Sequence, residues 1–201
     1  MTDCGCQAQA TNEAERRILR IALGLNAGMF IVGAIAGLIA HSMGLIADSL
    51  DMLADAMAYG IALAAWSRTA DFKATAARTS GTLLLVLGIG ILLGALWRLI
   101  TGSNPDGLWM MGVAFVALLV NATVLRLLER FRHGEVHLRA TWLFTRIDVI
   151  ANLAVIAAGI LVWLLNSSLP DLVIGVVISR FVIKEALGIL RESRRAKTAA
   201  T

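Results

Sequence analysis

Six stretches of this chain are long and apolar enough to cross a lipid bilayer, at about 19–40, 45–66, 82–100, 108–127, 140–165 and 169–190. A helix needs roughly 20 mainly apolar residues to span the hydrocarbon core. The 201 residues are 58% hydrophobic and only 16% charged, with mean hydropathy +0.78. A water-soluble domain of this size would not stay dissolved with that balance, so the bilayer is the expected solvent. The expected fold is an all-α integral membrane protein of six transmembrane helices. Its parts are a tail at 1–17, a transport-sized domain at 18–190 and a short basic tail at 191–201.

The net charge of +4 would suggest nucleic acid if read alone, but the basic residues fall on one side of the spans. Arg16, Arg17 and Arg20 precede helix 1, and Arg68, Lys73 and Arg78 join helices 2 and 3. Arg126, Arg130, Arg132 and Arg139 join helices 4 and 5, and Arg191, Arg194, Arg195 and Lys197 follow helix 6. The other connections hold none, apart from Arg98 beside the third. The positive-inside rule then places both termini in the cytoplasm, with membrane lipid rather than nucleic acid as the large-scale partner. The expected location is a multi-pass position in a bacterial inner membrane. The opening TDCGCQAQATNEAERR lacks the basic start, short apolar run and small-residue site of a cleaved signal peptide. Cys4 and Cys6 are too close together for an ordinary structural disulfide and are expected to be reduced. With Asp3 they can capture a soft metal ion, although two thiolates leave a zinc-type site incomplete. The plainer alternative is a tail with incidental thiols.

An ionised side chain in hydrocarbon is costly unless it faces a partner, a cavity or an ion, so charged residues within the spans are the first functional candidates. Helix 2 reads HSMGLIADSLDMLADAMAYG and carries Asp48, Asp51 and Asp55. Spacings of three, four and seven put the three on one helical face. Carboxylates so placed repel one another in a low-dielectric setting, and a cation among them relieves the repulsion. One face cannot surround an ion. Helix 5, ATWLFTRIDVIANLAVIAAG, supplies Asp148 and Asn152, four apart and on one face. Asn152 also has a plainer reading as a hydrogen bond between helices.

The segments GLIADSLDMLAD, TRIDVIANLAVI and PDLVIGVVISRFVIKEALGILRES, in a six-span frame, resemble the cation diffusion facilitators. That resemblance implies an exporter of divalent metal cations driven by proton antiport, not an enzyme, with no cofactor beyond the transported metal and protons. It also implies Asp51 and Asp55 as the helix 2 ligand pair and Asp148 as the second member of a helix 5 pair. Two departures qualify it. Phe144 stands where the family's fourth ligand, His or Asp, is usual. Moving one turn outward offers Asp148 with Asn152 and Asp48 with Asp51, so the expected site is centred on Asp51 and Asp148. Asp48 or Asp55, together with Asn152, completes it. The second departure is that only RESRRAKTAAT follows helix 6, where the family continues into a cytoplasmic dimerisation domain. The expectation is a short form whose homodimer is held by transmembrane helices, with Gly90 and Gly94 of helix 3 at GxxxG spacing. Packing within one subunit explains those glycines equally well.

An oxygen-rich site tolerates several divalent ions. Zn2+ is favoured because four-coordinate carboxylate ligation suits it and the family implies it, with Cd2+, Co2+, Mn2+ and Fe2+ open. Weaker metal candidates are His41 in an outer loop and His133 and His137, with Glu135, in an inner one. Arg146, Arg180 and Lys184 are expected to snorkel or to pair with Asp171 or Glu185. Asn26 of helix 1 reaches toward the site or joins helices. The rival readings are an intramembrane aspartyl protease, and a structural membrane subunit or passive cation channel. Three acids and an amide on two helices suit a cation better than a two-Asp catalytic dyad.

Overall fold

The computed structural model describes residues 4–65, 70–129 and 136–198, and these form six helices with no strand among them. They are α1 (Cys4–Ile39), α2 (Met43–Ala65), α3 (Ala70–Thr101), α4 (Gly107–Glu129), α5 (Val136–Leu165) and α6 (Leu169–Thr198). Each of the six apolar runs lies in its own helix. By length and composition alone, α1, α3, α4 and α5 contain spans, at Glu13–Ile39, Thr75–Thr101, Gly107–Glu129 and Thr145–Leu165. The two remaining helices carry the acids and bases that interrupt an apolar run, Asp48, Asp51 and Asp55 on α2 and Arg180, Lys184 and Glu185 on α6. The polarity of α2 follows from its place, because it packs against each of the other five helices. Those five keep its carboxylates off the lipid.

The outer surface is apolar. Ile35 and Leu38 of α1, Val86 and Leu93 of α3, Phe115 of α4, Ile150 of α5 and Val177 of α6 are all exposed. Large apolar side chains face outward because hydrocarbon, not water, surrounds them. The chain is a multi-pass integral membrane protein.

Within the bundle α1 pairs with α2, α3 with α6 and α4 with α5. The α4–α5 pair is close because glycines face one another. A Cβ on Gly107 would lie 2.6 Å from the Gly159 carbonyl oxygen, and one on Gly159 would lie 2.9 Å from Met111 Cγ. The GxxxG pair of α3 divides its roles. Gly94 packs on the Met43 side chain of the same subunit, while Gly90 meets nothing.

Two caps fix the N-terminal ends of helices. Asp106 accepts from the N–H groups of Leu108 and Trp109 at 2.9 and 3.2 Å and so caps α4. Asp171 of α6 caps a different helix. Its carboxylate accepts from Ser42 Oγ at 2.5 Å, Met43 N at 2.9 Å and Gly44 N at 3.0 Å, at the start of α2. The basic partners expected for Asp171, Arg180 and Lys184, are not what it bonds. The positive end of the α2 dipole and its unpaired N–H groups attract a carboxylate more strongly than a long side chain that can reach water.

Candidate metal centre

The middle of α2 presents its acids inward. Asp48 and Asp51 are buried at 5% and 7% exposure, and Asp55 is half-buried. Asp148 of α5 is 6% exposed and Asn152 fully enclosed. The fold therefore brings together all five main residues expected from the sequence, and sorts them into two sets.

In the set nearer the N-terminus of α2, Asn152 Nδ2 donates to Asp48 Oδ1 at 2.8 Å, and Asn152 Oδ1 accepts from Asn121 Nδ2 of α4 at 2.9 Å. The amide's orientation is dictated by its neighbours, since a carboxylate offers only acceptors and must face the NH2 group. Asn152 thus has both ends engaged and holds Asp48 in place.

In the other set Asp148 is close enough to Asp51 and to Asp55 to interact with both. Two carboxyl groups bond each other only through a shared proton or a shared cation. Asp148 Oδ2 has no hydrogen-bond partner although it is buried. Glu185 of α6 is near enough to act electrostatically on Asp51, Asp55 and Asp148, and among the described residues no cationic side chain offsets any of them. The acids are neighbours rather than a closed cage. Among the described residues no three Asp, Glu, His or Cys side chains are already drawn around one point.

One turn beyond Asp55, Tyr59 Oη and Thr145 Oγ1 meet at 3.3 Å and link α2 to α5. Beside them a cleft of about 210 Å³ opens between α5 and α6. Ile147, Ile150, Ala154, Val177 and Phe181 line it, and it ends on Asp51.

The weaker candidates lie apart. His41 is exposed at the turn before α2 with φ 51°, and its carbonyl accepts from Arg98 Nη1 at 2.6 Å. Phe144 and His137 are on α5 and Cys4 and Cys6 on α1, but their side chains lie outside the described residues, as does His133 altogether. Glu185, expected as one partner for Arg146, Arg180 or Lys184, lies near enough to Asp51 to act on it electrostatically. Four contributors were missed by the sequence reading: Asn121, Tyr59, Thr145 and Glu185. Asn121 was detectable by the argument that found Asn152, a buried amide within a span, and Tyr59 by its i+4 spacing from Asp55.

Residues 19–196 match the cation efflux transmembrane domain. Two curated relatives are each 30% identical over 189 residues, covering 88% of this chain and 60% of theirs. They are the cation efflux system protein CzcD of Alcaligenes sp. (strain CT14) and the metal cation efflux system protein CzcD of Cupriavidus metallidurans. The chain thus spans about 60% of the length of these relatives.

Proposed function

The chain belongs to the cation efflux transmembrane domain family, and on that premise we propose that it exports divalent metal cations from the cytoplasm in exchange for protons. The ion sits between Asp51 and Asp55 of α2 and Asp148 of α5. The observation that carries this reading is the buried Oδ2 of Asp148, which has no partner while its carboxyl group faces two others. That arrangement needs a positive charge, and a divalent cation supplies it.

Asp48 serves the site at one remove. Its hydrogen bond to Asn152 ties α2 to α5 one turn outward from the ion, and Asn121 extends the tie to α4. Asn152 would ligate an ion only through its oxygen, which Asn121 already engages, so it acts as a positioning residue. The family's relatives are named for metal cation efflux, and Zn2+ is the favoured cargo here, because three carboxylates can supply most of a four-coordinate shell. Without a His ligand the oxygen set also admits Mn2+, Fe2+, Co2+ and Cd2+.

Protons and metal compete for the same oxygens. Metal entering from the cytoplasm displaces protons, and rearrangement of the helices about this midplane site lets the ion leave outward as protons return. The location is the inner membrane with both termini cytoplasmic, which the distribution of Lys and Arg supports. A homodimer would form through the membrane helices, where Gly90 leaves one face of α3 open.

The test is flux in proteoliposomes with an internal pH dye, across several divalent ions. Inside-out vesicles should take up metal faster under an inward-acid gradient, and Asp51→Ala or Asp148→Ala should abolish uptake. A rate untouched by collapsing the gradient removes the proton coupling.

A further inference from the structure

Two buried amides stand outside the acid site with their carbonyl oxygens unused. Asn26 of α1 is 0% exposed and Asn121 of α4 is 1% exposed. Asn26 Nδ2 donates to the Ala22 carbonyl at 3.0 Å, and Asn121 Nδ2 donates to Asn152 at 2.9 Å. The Oδ1 atoms of both have no hydrogen-bond partner. Buried side-chain oxygens in that condition are uncommon and call for an explanation.

The packing places the two amides at one level of the bundle. Ala22 and Val124 share one apolar cluster with Tyr59, and Met29 and Ala117 share another with Met52. On α1 Asn26 lies between Ala22 and Met29, and on α4 Asn121 lies between Val124 and Ala117. The helices run antiparallel there, so both amides fall at the same level. On α2 Asp55 lies between Met52 and Tyr59. One polar layer, with a carboxylate and two free amide oxygens, therefore separates two apolar clusters.

We propose that Asn26 and Asn121 form a second station for the transported divalent cation, on the α1–α4 side of the Asp51–Asp148 pair. This rests on the export reading above. Each Nδ2 already gives an N–H to another partner, and each Oδ1 is left as an open acceptor that a cation can fill. Asp55 supplies negative charge at the same level, and the thioethers of Met29 and Met52 border the layer. Neutral oxygen ligands hold a divalent ion more weakly than carboxylates. The station therefore receives and releases cargo that the acid site holds.

Ions bound per chain, measured by equilibrium dialysis of the purified protein against Zn2+ and against Mn2+, test this. The variant combining Asp51→Ala with Asp148→Ala is expected to keep one weakly held ion. Adding Asn26→Ala should remove it. Adding Asn26→Asp, which keeps the side chain's shape and adds charge, should tighten it about tenfold or more. If Asn26→Ala does not fold, Asn26→Asp decides: tighter residual binding supports the station and unchanged binding overturns it. No residual ion in the double variant also overturns it, which is the result expected if an ordered water bridges the two amides. A wild type that binds a single ion, lost with Asp51→Ala, leaves the export reading standing and removes the station. A wild type that binds no ion overturns both.

Discussion

Asp171, near the start of α6, caps α2 rather than its own helix, accepting from Ser42 Oγ and the N–H groups of Met43 and Gly44. Ser42 Oγ in turn accepts from Leu45 N at 3.0 Å. The helix that carries most of the acid site is thereby anchored at its N-terminal end to α6. Asp171→Ala removes three acceptor contacts and leaves buried donors unpaired, at a cost of about 2 kcal/mol or more. Thermal unfolding in detergent should show a lowered Tm. Asp171→Asn, which keeps an acceptor oxygen, should fall between that variant and the wild type. A Tm unchanged in Asp171→Ala would remove the anchoring role.

The two sets of the acid site separate the roles of Asp48 and Asp55. Asp55→Ala takes away a carboxylate that faces Asp148 and should abolish both metal binding and flux. Asp48→Ala takes away only the acceptor for Asn152 and should slow flux while leaving binding measurable. Titration calorimetry together with vesicle flux checks both. If Asp48→Ala loses binding and Asp55→Ala keeps it, the ion sits a turn further out.

The cleft between α5 and α6 gives those helices room to approach. Ala154 lines it. Ala154→Trp fills much of the space, and if α5 must close toward α6 during the cycle, turnover should fall severalfold while equilibrium metal binding is retained. Flux equal to the wild type would show that the cleft does not change size during transport.

Gly107 and Gly159 set the distance between α4 and α5. A Cβ at Gly107 would come within 2.6 Å of one backbone atom and 3.0 Å of another, Gly159 O and Trp163 N. Backbone cannot swing aside as a side chain can, so Gly107→Ala must push the helices apart. Overpacking of this kind typically costs about 1–3 kcal/mol. Because Asn121 and Asn152 bond across the same pair of helices, unfolding temperature and flux should fall together. Gly112→Ala, on the same helix but with open space at its Cβ, is the control that should change neither.

The number of helices and the acids at their centre were legible in the sequence, because lipid imposes simple rules. A span must be apolar for about 20 residues, and a carboxylate within one must face inward. Helical spacing then places Asp48, Asp51 and Asp55 on one face, with Asp148 and Asn152 on another. Tertiary structure alone decided how those five divide, pairing Asp48 with Asn152 and bringing Asp148 to Asp51 and Asp55. It alone turned Asp171 toward α2, brought Glu185 near Asp51 and joined Asn121 to the site. The periodicity of a helix states which face a residue occupies, but not which helix lies opposite or at what height. Those depend on crossing angles and close contacts, such as Gly107 against Gly159, that only the packed bundle specifies.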